Sequence, residues 1–159
     1  MNSQDKHFLQ LAIKQARKSV QEGGFPAGAV VVKNGKVISK GLSLGFLLND
    51  PTSHAETAAI REACKILNTS DLKGATLYES LSSCVMCFSV AYWAGITRIV
   101  SGAKKTKEMV DKGYYEGITD ITRLNKENNR KIELVYLPDF ETESLELIKA
   151  WEKKNNSLI

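Results

Sequence analysis

Cys84 and Cys87 stand at i and i+3, a spacing that puts both thiols on one face of a helical turn. His54 upstream supplies a third donor, completing a Cys₂His set. Catalytic zinc sites use such a set when they keep a fourth position open for water. Metal binding brings the pKa of that water from about 16 to about 7. Glu56, two residues past the histidine, is a carboxylate able to move protons beside such a water. The chemistry this predicts is hydrolysis in which one carboxylate acts twice, as base and then as acid. A structural zinc normally has four protein donors, and the other candidates are Cys64 and His7. Cys64 falls about 15 Å further along a helix begun by His54, and it reads as a small buried apolar residue.

The elements that must hold these residues follow from periodicity. Asp5 to about Glu22 carries Phe8, Leu11, Ala12, Gln15, Ala16 and Ser19 at helical spacing, and Gly23-Gly24 ends it. Pro26 to Val32 is a short β-branched run. Asn34-Gly35 then signals a hairpin, with Lys36 to about Ser43 returning. Leu44 to Thr52 reads as a loop containing the turn residues Asn49-Asp50-Pro51. Ser53 is the expected N-cap of a helix from His54 to about Leu67. Ser82 or Ser83 is the expected cap of another from Cys84 to about Ala94. Strands are expected at Thr76–Tyr78, Ile96–Val100 and Lys131–Leu137. Lys104–Lys112 reads as a short helix, and Glu141–Lys153 as the last one. The order predicts one domain over residues 1–159, a three-layer α/β/α sandwich around one mixed five-stranded sheet. Both metal-bearing segments fall at helix starts, where the partial positive charge favours thiolate.

Bulk properties exclude several classes. Lys+Arg 22 against Asp+Glu 18 gives +4, too mild a balance to demand nucleic acid. The basic stretches Lys104–Lys112 and Arg123–Lys131 read as solvated faces or loops, and nucleic acid is not expected as a partner. No apolar run approaches the roughly 18 residues of a membrane span, and the amino-terminal residues have no signal-peptide pattern. An odd count of three cysteines, two committed to metal, argues against a disulfide framework. The expectation is a cytoplasmic enzyme with no membrane attachment.

His-x-Glu followed by Cys-x-x-Cys is the pattern of zinc-dependent nucleobase deaminases, which usually place proline before the first cysteine. Asn49 to Glu56, and Thr76-Leu77-Tyr78 leading into Cys84-Val85-Met86-Cys87, resemble the metal-binding segments of the cytidine deaminase superfamily. The resemblance is to its guanine deaminase, yeast-type cytosine deaminase and tRNA adenosine deaminase branch, and it runs from the first helix to Trp151. Leu81-Ser82 is similar to cytosine deaminases; Tyr92-Trp93-Ala94 and Ala150-Trp151 are similar to guanine deaminases. The resemblance implies Zn²⁺ on His54, Cys84 and Cys87, catalysis by Glu56, and usually a homodimer. Its reaction is attack by metal-activated water on the amine-bearing carbon of a ring such as cytosine, adenine or guanine, with release of ammonia.

This sequence departs from the family at three positions. Ser83 replaces the proline. Ser43 stands where relatives carry a base-reading asparagine, and a hydroxyl cannot reproduce an amide's paired donor and acceptor. Ala27 follows Pro26 where relatives carry a bulkier residue. The last two changes enlarge the base-reading side of the pocket. Trp93 is expected either to stack on the base or to serve the core or a dimer interface. Glu116 matches a guanine deaminase carboxylate that reads the ring edge, while Asp139, Phe140, Glu141 and Glu143 fall where relatives close the pocket. Taken singly, each of these acids also suits a surface or capping role. Ser53, Ala55 and Ser82 complete the implied substrate-binding set. The substrate expected is a small free base, guanine-like first and cytosine or isocytosine next. Alternatives are a nucleoside or modified base, the adenosine of a tRNA, or a catalytically silent subunit of this fold.

Overall fold

The structure is a computed structural model and describes residues 2–156. Helix α1 (Ser3–Gln21) leads into the hairpin β1 (Phe25–Lys33) and β2 (Lys36–Ser43). A single turn α2 (Gly45–Leu48) then precedes α3 (Ala55–Leu67). Next come β3 (Thr76–Glu79), α4 (Val85–Trp93), β4 (Arg98–Ser101), α5 (Lys107–Asp111), α6 (Ile121–Glu127) and β5 (Glu133–Tyr136). A 3₁₀ turn (Pro138–Phe140) opens α7 (Glu141–Asn156).

As expected, there is one mixed five-stranded sheet; its strand order is β2-β1-β3-β4-β5. Strand β1 is antiparallel to both neighbours, while β3, β4 and β5 are parallel. Four strands therefore run one way, and their carboxyl ends share one edge. The hairpin closes through Asn34 and Gly35, both at positive φ (52° and 70°), the geometry a two-residue turn needs.

Side chains alternate across the sheet. Val30, Val32, Tyr78 and Val100 meet Phe8, Leu9, Ala12 and Ile13 of α1. Ala29, Val31, Leu77 and Ile99 face the other way, against Ala59, Ile60 and Ala63 of α3 and Phe88 and Ala91 of α4. Helix α3 lies hard on β2: a Cβ on Gly41 would sit 1.9 Å from the Ala55 carbonyl oxygen, so only glycine permits this approach.

Some elements and helix starts differ from expectation. The segment expected as a loop from Leu44 to Thr52 contains α2. The basic, asparagine-rich stretch from Arg123, expected as a solvated face or loop, begins inside α6, which Asp120 caps through the amides of Thr122 and Arg123. Helix α5 starts three residues later than expected because Thr106, whose side chain bonds the Met109 amide, is its cap. The caps of α3 and α4 are His54 and Cys84 themselves, not the serines before them.

Asp5 is buried on the α1 side and holds Arg98 in a bidentate pair (2.6 and 2.8 Å), with Tyr78 Oη donating at 2.8 Å. The Arg98 hydrogen bonds keep the Asp5 carboxyl below its ordinary value. A carboxyl depressed on folding stabilises above its unfolded pKa and loses that contribution as pH falls through the folded value. We therefore expect Asp5→Asn to cost about 3 kcal/mol in urea unfolding at pH 7. The gap from wild type should close below the usual carboxylate range, near pH 3.9; a gap constant with pH would refute this account of the pair.

Candidate active site

Helix α3 follows β2 and helix α4 follows β3, so both begin at the same carboxyl edge of the sheet. Each opens with an extended residue bearing a metal donor, His54 (φ −72°, ψ 157°) and Cys84 (φ −71°, ψ 172°). One helical turn on, Cys87 donates its amide to Cys84 Sγ at 3.4 Å. His54 Nδ1 lies 3.5 Å from Cys84 Sγ, and the three donor atoms are all within 4.8 Å of one another. A tetrahedral zinc, with Zn–S about 2.3 Å and Zn–N about 2.1 Å, spaces its donors roughly 3.5–3.8 Å apart, so these residues fit it. Cys64 and His7 stay outside the cluster, as expected.

The electrostatics are those of an anionic soft site. Hydrogen bonds from Cys87 and His54 pull the Cys84 thiol down to about 5, against the cost of burial. Cys87, hydrogen-bonded to Cys84 and buried, is pushed up. The Thr57 hydroxyl steadies it, donating to Cys87 Sγ at 3.3 Å. The bond to Cys84 raises His54. Glu56, in the first turn of α3, is buried, and that burial raises its carboxyl above the ordinary carboxylate value. A second carboxylate, Glu79 at the end of β3, is wholly buried and pushed up to about 8 by desolvation and by Glu56.

A cavity of about 920 Å³ opens over the donors, with His54, Glu56 and Cys84 in its lining. Ala27, Ser43 and Ser82 also line it. Its aromatic wall comes from Phe25, Tyr114 and Trp151, whose rings pack at centroid distances of 5.1 to 5.9 Å. Sequence reasoning did not assign these rings to the site. Their signals were Phe25 before Pro26 and a Tyr-Tyr pair after a glycine, in segments that look like ordinary turns. Tyr114 Oη and Lys112 Nζ both donate to Glu152, at 2.7 and 2.9 Å, latching α7 to this wall.

Several expected substrate residues are elsewhere. Trp93 is 82% exposed at the end of α4, away from the cavity. Glu116 accepts the Val85 amide at 2.6 Å, satisfying a free donor at the start of α4 in place of a ring edge. Asp139 pairs with Lys6 at 2.6 Å and Glu143 with Arg17, so both acids fasten α7 to α1. Phe140 is buried in the α1-side core. Ser53 and Ala55 are buried beside the donors but do not line the cavity.

A mixed sheet with a Cys₂His set and a buried carboxylate at two helix starts has the makeup of a catalytic zinc enzyme. The family described as the cytidine and deoxycytidylate deaminase zinc-binding region matches residues 2–103, which include all three donors and Glu56. The chain belongs to this deaminase family and is a hydrolase acting on C–N bonds. It is 33% identical over 156 residues to a tRNA-specific adenosine deaminase of Aquifex aeolicus, covering 97% of this chain and 98% of that one. To a guanine deaminase of Bacillus subtilis it is 35% identical over 153 residues, covering 94% of both. A structure solved in a study of tRNA:A34 deaminases superposes with TM-score 0.77 at 32% identity, over 89% of this chain and 99% of that chain. The expectation that nucleic acid is no partner thus finds no support among the relatives. No helix among the described residues is long and apolar enough to cross a membrane.

Zinc titration of chelator-stripped protein should give one tight site per chain. Cys87→Ser should weaken it by more than about 100-fold, and Thr57→Val, which removes only the hydrogen bond to the sulfur, by about tenfold. Equal affinity in Cys87→Ser and wild type would remove Cys87 from the donor set.

Proposed function

We propose that this chain deaminates an amino-substituted nucleobase, a guanine-like free base first, with Glu56 as the proton carrier. The observation that carries this reading is the buried Glu56 beside three soft donors, in a cavity walled by three aromatic rings. A flat bicyclic ring suits a wall of this width, since base–aromatic stacking is worth about 1–3 kcal/mol per base. Zinc, when bound, supplies the Lewis acidity that makes a water nucleophilic near neutral pH. The residues of the chain do the rest. Glu56 takes the water's proton on its carboxylate and passes it to the ring nitrogen beside the amine-bearing carbon. The water oxygen bonds the amine-bearing carbon, and Glu56 moves that oxygen's remaining proton to the amine, so that the C–N bond breaks, ammonia leaves and the oxygen stays as the ring carbonyl. Burial, by raising the carboxyl, fits Glu56 to both halves of this exchange. Ser43 and Ser82 are the short polar groups available to the ring edge, and Phe25, Tyr114 and Trp151 hold its faces.

A second reading, adenosine within tRNA, is favoured by the cavity's size, which exceeds a lone base, and by end-to-end similarity to an enzyme named for that substrate. A homodimer of cytoplasmic chains is the assembly we infer. Trp93 at 82% exposure, with the half-buried Val85, Met86 and Val90, makes the outer side of α4 apolar, as a self-association face would be.

Ammonia release should be measured with guanine, cytosine, isocytosine, adenine, guanosine, cytidine and a tRNA bearing wobble adenosine. Turnover of guanine should fall by roughly 10³–10⁴-fold in Glu56→Ala. In Trp151→Ala the KM should rise about tenfold, from the loss of stacking. Turnover of the tRNA alone would establish the second reading. Light scattering should give twice the chain mass for wild type and the single mass for Trp93→Asp; a wild-type monomer would refute the dimer.

A further inference from the structure

Glu79 takes no part in the chemistry above, yet it is a carboxyl group with 0% exposure in the middle of the fold. It ends β3, paired across to Ala29 on one side and Ser101 on the other, and it faces the layer of α3 and α4. An apolar residue would meet the demands of a central strand at lower cost, since a buried carboxyl must be fully hydrogen-bonded to be tolerated. Its partners are neutral donors. Ser83 N–H donates to Oε1 at 2.9 Å, the Ser83 hydroxyl donates to Oε2, and the Ser101 hydroxyl donates to Oε1 at 2.6 Å.

Those partners mark what the group holds. Residues 80–83 connect β3 to Cys84 without regular structure, and all three of their serine amides are tied down. Ser80 exchanges hydrogen bonds with Gly28, its amide donating to the Gly28 carbonyl and its hydroxyl accepting the Gly28 amide. Ser82 N–H donates to Ala103, and the Ser82 carbonyl accepts from Tyr115 Oη at 2.6 Å. Ser83 is anchored by Glu79, through both its amide and its hydroxyl. The next residue is Cys84, whose extended backbone aims Sγ at His54 Nδ1, 3.5 Å away. We propose that Glu79 is a positioning residue for the metal centre: through Ser83 it fixes the peptide entering Cys84 and so the direction of the Cys84 sulfur, with Ser101 holding the carboxyl in place.

This role rests on His54, Cys84 and Cys87 being the zinc donors, and the test separates the two claims. Wild type, Glu79→Val, Glu79→Gln, Ser83→Ala and Ser101→Ala are stripped of metal and reloaded with Co²⁺, whose visible and near-ultraviolet bands report thiolate direction. Zinc affinity is measured in parallel by chelator competition, and the melting temperature of each metal-free form is recorded. Wild type should give the intense bands of tetrahedral cobalt with two thiolates. In Glu79→Val these should shift and zinc affinity should fall at least about tenfold. Glu79→Gln, which keeps an oxygen for the Ser83 amide, should restore most of both. Ser83→Ala and Ser101→Ala should lie between. A Glu79→Val protein that melts lower but keeps wild-type cobalt bands and zinc affinity would overturn the proposal. Should Glu79→Val not fold, unchanged bands and affinity in both Ser83→Ala and Ser101→Ala would overturn it equally. Wild type without thiolate–cobalt bands would instead overturn the metal centre itself, and this role with it.

Discussion

Two helices must start side by side at one edge of the sheet, each with a metal donor as its first flanking residue. Almost everything else in the molecule serves that constraint. Helix starts leave backbone amides unpaired and carry partial positive charge. Around them the chain gathers Cys84, Cys87, Glu56 and Glu79, all buried and all capable of negative charge. Burial raises the carboxyls of Glu56 and Glu79, and the negative groups beside them add to that rise. A divalent cation between the sulfurs and the histidine offsets the repulsion among these groups, which is why a donor set of this kind binds metal rather than simply tolerating burial.

The distance between the helix starts is a packing result. Gly41 lets α3 settle onto β2 at the level of Ala55, just behind His54. Phe88 and Ala91 seat α4 on the same layer as Ala59 and Ala63 of α3. With both helices fixed against one sheet, small side chains in α3 become a geometric requirement for metal binding. Glu116 completes the arrangement from a distant loop by accepting the Val85 amide that α4 leaves open.

The substrate side is built differently. Its walls come from Phe25 at the start of β1, Tyr114 in the loop after α5, and Trp151 near the end of α7. The ion pairs Lys6–Asp139 and Arg17–Glu143 set α7 alongside α1, and the Glu152 latch brings Trp151 to the cavity. Asp139 and Glu143, expected to close the pocket, are thereby used to align α7 with α1. The lining that remains combines aromatic rings with Ser43, Ser82, Asn49, Asp50 and Asn155.

The metal trio, Glu56 and the order of strands and helices were legible in the sequence because each depends on short-range rules. Cysteines at i and i+3 share a helix face, Asn-Gly makes a hairpin, and alternating apolar residues make a half-buried strand. Local rules also explain where that reading slipped. Serines are good caps in isolation, but here the donor residues themselves take the cap positions, because the extended backbone that starts a helix is also what turns His54 and Cys84 toward each other. Only the tertiary structure decided which residues form the pocket and which acids are structural. Trp93 and Trp151 are the same side chain, each near the end of a helix, and one faces outward while the other meets Phe25 and Tyr114. Glu79 looks like an ordinary strand-end acid until its contacts with Ser83 and Ser101 are seen. Contacts between residues far apart in the chain depend on how α7 docks and how the strands register, and that is a balance of packing over the whole sheet which no single window of sequence contains.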